Sequence, residues 1–299
     1  MKNTSNDPTR RGFLKSGALW AGAASLASRV LAADPPPALK LFSAMGTAAS
    51  LDRAAVLKDL GAEFLTESVG NFLVPDQADE VFAGKLAKLA ASPLRILACN
   101  SFIRPAHLRC VGAEANHDQV LAWAETAFRR LKQAQGKFIV FGSSGARALR
   151  NGWTKDKADV QFVDLLKRMG PLAAKHDVTV VVEQLQQSEC NYINHIGEAA
   201  KIVRQAAHPN IRLLADLFHI ARMGDTPADL KEAMDVVVHV EIAEKAERSV
   251  PGVRGDDFRP YFRVLRAANY QGAISLEGKG TDEQIGKAFQ EIAKQAAEV

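Results

Sequence analysis

The chain has 299 residues, 47% of them hydrophobic, with 38 basic and 34 acidic side chains and a formal charge of +4. Five of the basic residues (Lys2, Arg10, Arg11, Lys15, Arg29) and one acidic residue (Asp7) lie in the first 32 positions, so the other 267 residues carry 33 of each sign and no net charge. A neutral chain with no Lys/Arg stripe has no footprint for a phosphate backbone, which argues against nucleic acid as a partner, and 267 residues is near the length of a single α/β barrel.

The amino-terminal segment reads as an export signal. Thr9-Arg10-Arg11-Gly12-Phe13-Leu14-Lys15 carries paired arginines, a weakly apolar run follows over 17–27, and Val30-Leu31-Ala32 offers small residues for cleavage after Ala32. This order predicts a twin-arginine signal peptide over 1–32, the twin-arginine translocase as a transient partner, and a periplasmic or secreted product. The run is too short, and too rich in Ala, Gly and Ser, to make a stable membrane anchor. That export route carries folded proteins, so any metal is expected to be loaded before translocation.

Residues 33–38, with Pro35-Pro36-Pro37, read as an extended linker because consecutive prolines favour polyproline II. From 39 to 299, short apolar runs alternate with helical patterns. The runs predict strands at 39–43, 63–67, 94–100, 138–141, 178–183, 211–216, 236–241 and 273–277, with helical patterns such as 117–132, 158–176, 196–207 and 281–297 between them. The strands are continuously apolar, as parallel strands covered on both faces are. Eight strand–helix units in this length predict a single (β/α)8 TIM barrel of the α/β class over 39–299. No glycine fingerprint for a dinucleotide or a P-loop follows any strand. Cys99, Cys110 and Cys190 have no metal-ligand spacing, and a barrel of this size does not need a Cys99–Cys110 bridge.

Nearly every apolar run ends in a group able to do chemistry: Glu67, Asn100, Ser143 just past 141, Glu183, Asp216, His239 with Glu241, and Glu277. In a barrel these ends converge on one face, where active sites are built. Acidic groups from strands five to eight pointing into one mouth repel one another, so a divalent cation or Arg and Lys side chains should sit among them. Glu67 and Asn100 are assigned to substrate contact. On strand seven, period-two alternation puts His239 and Glu241 on the same face, so either can reach inward.

The strings Val182-Glu183-Gln184-Leu185, Glu189-Cys190-Asn191, Ala215-Asp216-Leu217-Phe218-His219 and Ile274-Ser275-Leu276-Glu277 resemble successive signatures of the xylose-isomerase-like TIM-barrel family. Phe141-Gly142-Ser143-Ser144-Gly145-Ala146-Arg147 and Pro251-Gly252 are similar to further segments of it. That family includes ketose 3-epimerases, hydroxypyruvate isomerases and sugar phosphate isomerase/epimerase-like proteins. The resemblance implies a divalent metal held by Glu183, Asp216 and Glu277 with a fourth group from strand seven. It also implies proton transfer by Glu183 and Glu277, and substrate oxygens bound by Glu189 and His219. The family pattern on strand seven is His-x-His-x-x-Asp/Glu, whereas this chain has His239-Val240-Glu241-Ile242-Ala243-Glu244. With Glu241 as ligand the set is all carboxylate and suits Mn²⁺ or Mg²⁺. Without it, Glu241 is left as an acid/base and the metal is weak or absent.

The leading expectation is an isomerase or epimerase acting on a keto sugar or small hydroxy-carbonyl compound through an enediolate. A second is a lyase or hydratase that abstracts the same proton and expels the glycosidic group of a 3-keto-glycoside, favoured by export. A third, of another class, is a non-catalytic sugar-binding barrel. The mouth shows no lysine cluster for a phosphate, leaving Arg104, Arg147 and Lys279 as the candidates for one.

Overall fold

Among the described residues eight parallel strands, none longer than six residues, follow one another around a ring that closes where β1 pairs with β8. The computed structural model describes residues 40–299, so the predicted signal peptide and linker lie outside the described residues. The strands are β1 Met45–Ala48, β2 Phe64–Ser68, β3 Arg95–Asn100, β4 Phe138–Phe141, β5 Thr179–Glu183, β6 Ile211–Asp216, β7 Val237–Ile242 and β8 Ile274–Leu276. The α-helices are α1 Ala54–Asp59, α2 Asp79–Ala90, α3 His117–Gln133, α4 Ser144–Arg147, α5 Lys155–Lys175, α6 Ile196–Ala206, α7 Leu217–Met223, α8 Pro227–Ala233, α9 Arg259–Ala267 and α10 Asp282–Ala297. The predicted (β/α)8 barrel is therefore the fold, and the four helices predicted from periodicity are α3, α5, α6 and α10. No helix among the described residues is long and apolar enough to cross a membrane.

Alternation along the strands divides the core in two. Leu65, Ile139, Phe141, Val180, Val182, Leu213, Val240, Ile274 and Leu276 face the helices and build the larger cluster. Phe64, Ala98, Phe138, Val140, Val181 and Leu214 fill the barrel interior. Above them Thr66 and Ser275 join hydroxyls at 3.1 Å, the point where the interior turns polar. Layered filling of this kind leaves no pore and supports the residues at the strand ends from below.

The first strand is displaced from the expected 39–43 to Met45–Ala48. The apolar pair Leu41 and Phe42 packs elsewhere: Phe42 sits edge-on to Phe262 at 5.3 Å and Tyr270 at 6.3 Å. The true strand, Met-Gly-Thr-Ala, is weakly apolar because Phe64 fills the space beside it. A Cβ on Gly46 would lie 2.5 Å from the Phe64 ring.

Two bulges set the register of the mouth. Between β6 and β7, Leu213 pairs with Val237 but Leu214 pairs with His239, so Val238 is the extra residue. This advance brings Glu241 opposite Asp216; an unbroken ladder would have put Val240 there. A second irregularity, between β2 and β3, skips Leu97.

Candidate active site

Glu183 ends β5, Asp216 ends β6, Glu241 lies in β7 and Glu277 follows β8. One oxygen from each lies within 4.8 Å of the others. They sit at the carboxyl ends of the strands, under a cleft of about 500 Å³ whose walls include Asn100, Ser143, Glu189 and Arg248. Glu183 has room for its carboxylate because residue 142, at the end of β4, is glycine. Asp216 uses one oxygen to cap α7, accepting from the amides of Phe218 (2.7 Å) and His219 (3.3 Å), which leaves the other for the mouth.

The positive charge that such a cluster requires is supplied in part by Arg248, which lies in the loop after β7. Its guanidinium pairs with Glu277, lies 3.3 Å from Asp216 and 3.2 Å from Glu189, and stacks on Phe218 with its carbon 4.6 Å from the ring centre. Glu247 and Arg248 are consecutive non-glycine residues with positive φ, at 59° and 53°. Ser101 and Ser143, also on the cleft wall, have φ of 53° and 46°. Such backbone costs energy and persists where neighbours over-determine it, a feature that clusters at functional sites.

One cation does not neutralise this mouth. Burial and the neighbouring Glu183 push the Glu277 carboxyl up to about 7, against the pull of Arg248. Glu241 is fully buried, and burial together with Glu277, Glu183 and Asp216 raises it well above the usual carboxylate range. Neither Glu241 oxygen has a hydrogen-bond partner among the described residues. An orphaned buried carboxyl beside three others fits a hard divalent cation, and these four residues could hold one.

His219 is also fully buried. Its Nδ1 accepts from the amide of Gln186 at 3.1 Å, and its Nε2 lies 3.4 Å from Asp216, 3.5 Å from Glu183 and 4.0 Å from Glu189. Burial pulls its pKa down, but Asp216 and Glu183 outweigh burial and raise it. Because an amide donor occupies Nδ1, the ring proton belongs on Nε2, facing the carboxylates.

The mouth gathers most of the sequence-predicted residues. Asn100 donates to Glu277 at 2.9 Å. Glu189 is on the cleft wall, bonded by Gln186 at 2.7 Å. Glu67 lies off this cleft wall: it shares parity with helix-facing Leu65, while Thr66 points inward. Its two oxygens accept from the amides of Leu51 and Ser68, both at 2.7 Å, so it organises the turns outside the mouth. His239 is not among the residues that the mouth brings together. It stacks on Phe138 at 5.1 Å one layer down, where burial lowers it to about 4. Of the anion candidates, Arg147 is fully buried and donates to the backbone carbonyl of Glu183 at 2.6 Å. Lys279 is off the cleft wall, and Arg104 is on it. The three cysteines are free and buried, with no Cys99–Cys110 bridge.

An acidic cluster under a cleft at the carboxyl-end mouth places this chain among (β/α)8 barrels with a candidate active site on the face where that fold builds them. The chain is a member of the xylose isomerase-like TIM barrel family, whose model matches residues 54–298. It is 29% identical over 129 residues to a 3-dehydro-D-guloside 4-epimerase of Escherichia coli, covering 43% of this chain and 49% of that protein. To the hydroxypyruvate isomerase of the same species it is 21% identical over 131 residues, covering 43% and 51%. The matches therefore span about half the length of these relatives. The solved 3-keto-D-glucoside 4-epimerase YcjR from E. coli superposes with a TM-score of 0.69 at 20% identity, over 85% of this chain and 98% of that one. The IOLI protein, solved with a bound zinc atom, gives 0.69 at 16% identity, over 85% and 98%.

Proposed function

We propose that this protein is an isomerase or epimerase of a keto sugar, working by proton transfer next to the carbonyl with Glu183 and Glu277 as the transferring groups. The observation that carries the reading is the convergence of buried Glu183, Asp216 and Glu241 with half-buried Glu277 beneath a cleft of about 500 Å³. Stability alone does not select such a cluster, because each added like charge in a low dielectric raises its cost. The sugar chemistry of the curated relatives agrees with it.

Glu277, titrating near 7, has both its acid and base forms at hand at neutral pH, which general acid–base catalysis requires. Asn100 and Arg248 orient it, each bonded to one of its oxygens. Glu183 lies under the same cleft, positioned by the space that Gly142 leaves. A proton removed by one carboxylate and returned by the other, on opposite sides of a planar enediolate, inverts or relocates a carbinol centre. The Nε2–H of His219 and the guanidinium of Arg248 are the donors for substrate oxygens. A divalent cation held by Glu183, Asp216, Glu241 and Glu277 would supply a Lewis acid for the developing oxyanion. With oxygen donors alone, Mn²⁺ or Mg²⁺ fits better than a softer ion.

The cleft disfavours a sugar phosphate. Of the two arginines on its wall, Arg248 is already shared among Asp216, Glu189 and Glu277, which leaves Arg104 alone to meet a phosphate. The reading thus favours a neutral keto sugar, and we propose that it is met outside the cytoplasm after twin-arginine export. Arg10→Lys with Arg11→Lys should leave the precursor inside the cell, and unchanged export would remove the leader assignment. The activity itself is tested by proton NMR in D₂O with free ketoses and 3-keto-glycosides, with and without Mn²⁺. Deuterium entering beside the carbonyl, with a new epimer or isomer, is the expected result. Cleavage of the glycoside without a new isomer would instead establish the lyase, and binding without exchange a sugar-binding barrel.

A further inference from the structure

A second cleft opens on the same face of the barrel, after β2 and β3. It has a volume of about 570 Å³, and its walls are Ser68, Asn71, Asp76, Pro105 and Trp123, with Arg104 common to it and to the carboxylate cleft. Neither the proton-transfer chemistry nor the family strings use any of these residues.

The walls are built. Residues Val69–Leu73 form a single π-helical turn, which presents Asn71, and Val74 closes it with φ of 40°. A β-branched residue in that conformation is a genuine outlier and persists only where its neighbours hold it. The strain is held by Arg130, fully buried, whose guanidinium binds the carbonyls of Leu73 (2.9 Å), Val74 and Gln77 (2.7 Å) and the carboxylate of Asp79 (2.7 Å). Trp123 is also on the cleft wall, and its indole N–H donates to the carbonyl of Phe102 at 2.9 Å, which fixes the ring while part of it stays exposed. A rigid aromatic surface with a few polar groups around it is how a site receives a ring that is apolar on one face and hydroxylated at its edge. Asp76 opposes a phosphate there, and Asn71, Asp76 and Arg104 offer both donors and acceptors to hydroxyl groups.

We propose that this cleft is the subsite for a second sugar ring, so that the substrate is a keto-disaccharide whose oxidised ring sits over Glu183 and Glu277 and whose glycosyl partner reaches past Arg104 onto Trp123. The proposal rests on the proton-transfer reading above and extends it to the substrate class.

The test compares deuterium exchange from D₂O for a 3-keto-disaccharide and for methyl 3-keto-glucoside, in the parent and in Trp123→Ala and Asn71→Ala. The parent should prefer the disaccharide by at least tenfold in kcat/KM. Both variants should lose that preference mainly through KM, while the methyl glucoside changes less than twofold. Asn71→Ala guards against a packing defect, since Asn71 is exposed and Trp123 is not fully so. Equal kcat/KM for the two parent substrates, or variants that slow both substrates alike, would overturn the subsite. If Glu183→Gln then abolishes exchange with both, the proton-transfer reading stands without it. If the parent exchanges neither substrate, that reading fails, and the cleft is still judged by titrating the unoxidised disaccharide against tryptophan fluorescence. Saturable quenching lost in Asn71→Ala supports the subsite, and no response overturns it.

Discussion

A Cβ on residue 142 would fall inside the van der Waals envelope of Glu183 Oε2, so the glycine at the end of β4 and the carboxylate at the end of β5 occupy one shared space. Gly142 is not among the residues of positive φ, so its backbone accepts alanine and the conflict is with the side chain alone. Gly142→Ala should therefore push Glu183 out of position, lowering kcat by about 10²-fold, as an ångström-scale misplacement does. The accompanying stability change should be small, because the atom that must give way is the far end of a flexible side chain. Unchanged kcat would mean that Glu183 is not held where the chemistry needs it.

Glu183→Gln and Glu277→Gln preserve shape and remove the base, and each should lower turnover by about 10²–10⁴-fold, the usual scale for general acid–base catalysis. Glu241 behaves differently if it is a metal ligand. Glu241→Gln should weaken Mn²⁺ binding, read by calorimetric titration, and excess Mn²⁺ should restore part of its activity. If Glu241→Gln binds Mn²⁺ as the parent does, Glu241 belongs with the acid–base groups.

The pH dependence of stability follows from Glu277. Its folded pKa, about 7, is above the ordinary carboxylate value of 4.5. Between those values the folded state holds the proton that the unfolded state has lost, so the apo protein loses stability as pH rises from 4.5 through 7. Glu241, raised in the same direction, adds to this. A divalent cation relieves the repulsion that appears when the protons leave, so Mn²⁺ should raise Tm more at pH 8 than at pH 5.5. Equal gains at both values would show the cation binding outside this cluster.

The sequence made the barrel legible because burial on both faces turns each parallel strand into an apolar run, and helical periodicity separated the runs cleanly. It failed at β1, where Phe64 occupies the volume that an apolar side chain would mark, and the apolar pair Leu41 and Phe42 misdirected the assignment. Glu183, Asp216 and Glu277 could be found because each ends a run. Glu67 also ends a run, but counting parity from helix-facing Leu65 would have placed it outward. His239 and Glu241 share a face at different depths, and the Val238 bulge that sets their level has no signal in composition. Arg248 was missed because it lies in a loop, three residues before Pro251-Gly252. Its place depends on an inward turn that only tertiary contacts reveal.

Those contacts converge on Glu244, the last acidic residue of the strand-seven motif. Fully buried, its carboxylate accepts from the Ser249 hydroxyl (2.9 Å) and from the amides of Gly252 (2.8 Å), Arg254 (2.5 Å), Gly255 (2.9 Å) and Asp256 (3.3 Å). The loop after β7 is thus tied around one side chain, with Arg248 on the side that faces the mouth. Glu244→Gln replaces one acceptor oxygen by a donor against those amides, at a cost of about 1–3 kcal/mol for groups left unsatisfied. Glu244 is not on the cleft wall, and the loop it ties carries Arg248, so its effect on catalysis is expected to pass through Arg248. Glu244→Gln should lower kcat/KM by about tenfold, and adding it to Arg248→Ala should cost little more than Arg248→Ala alone, the non-additivity expected of residues that share one structural element. Simple addition of the two losses would show that Glu244 stabilises the fold without positioning the arginine.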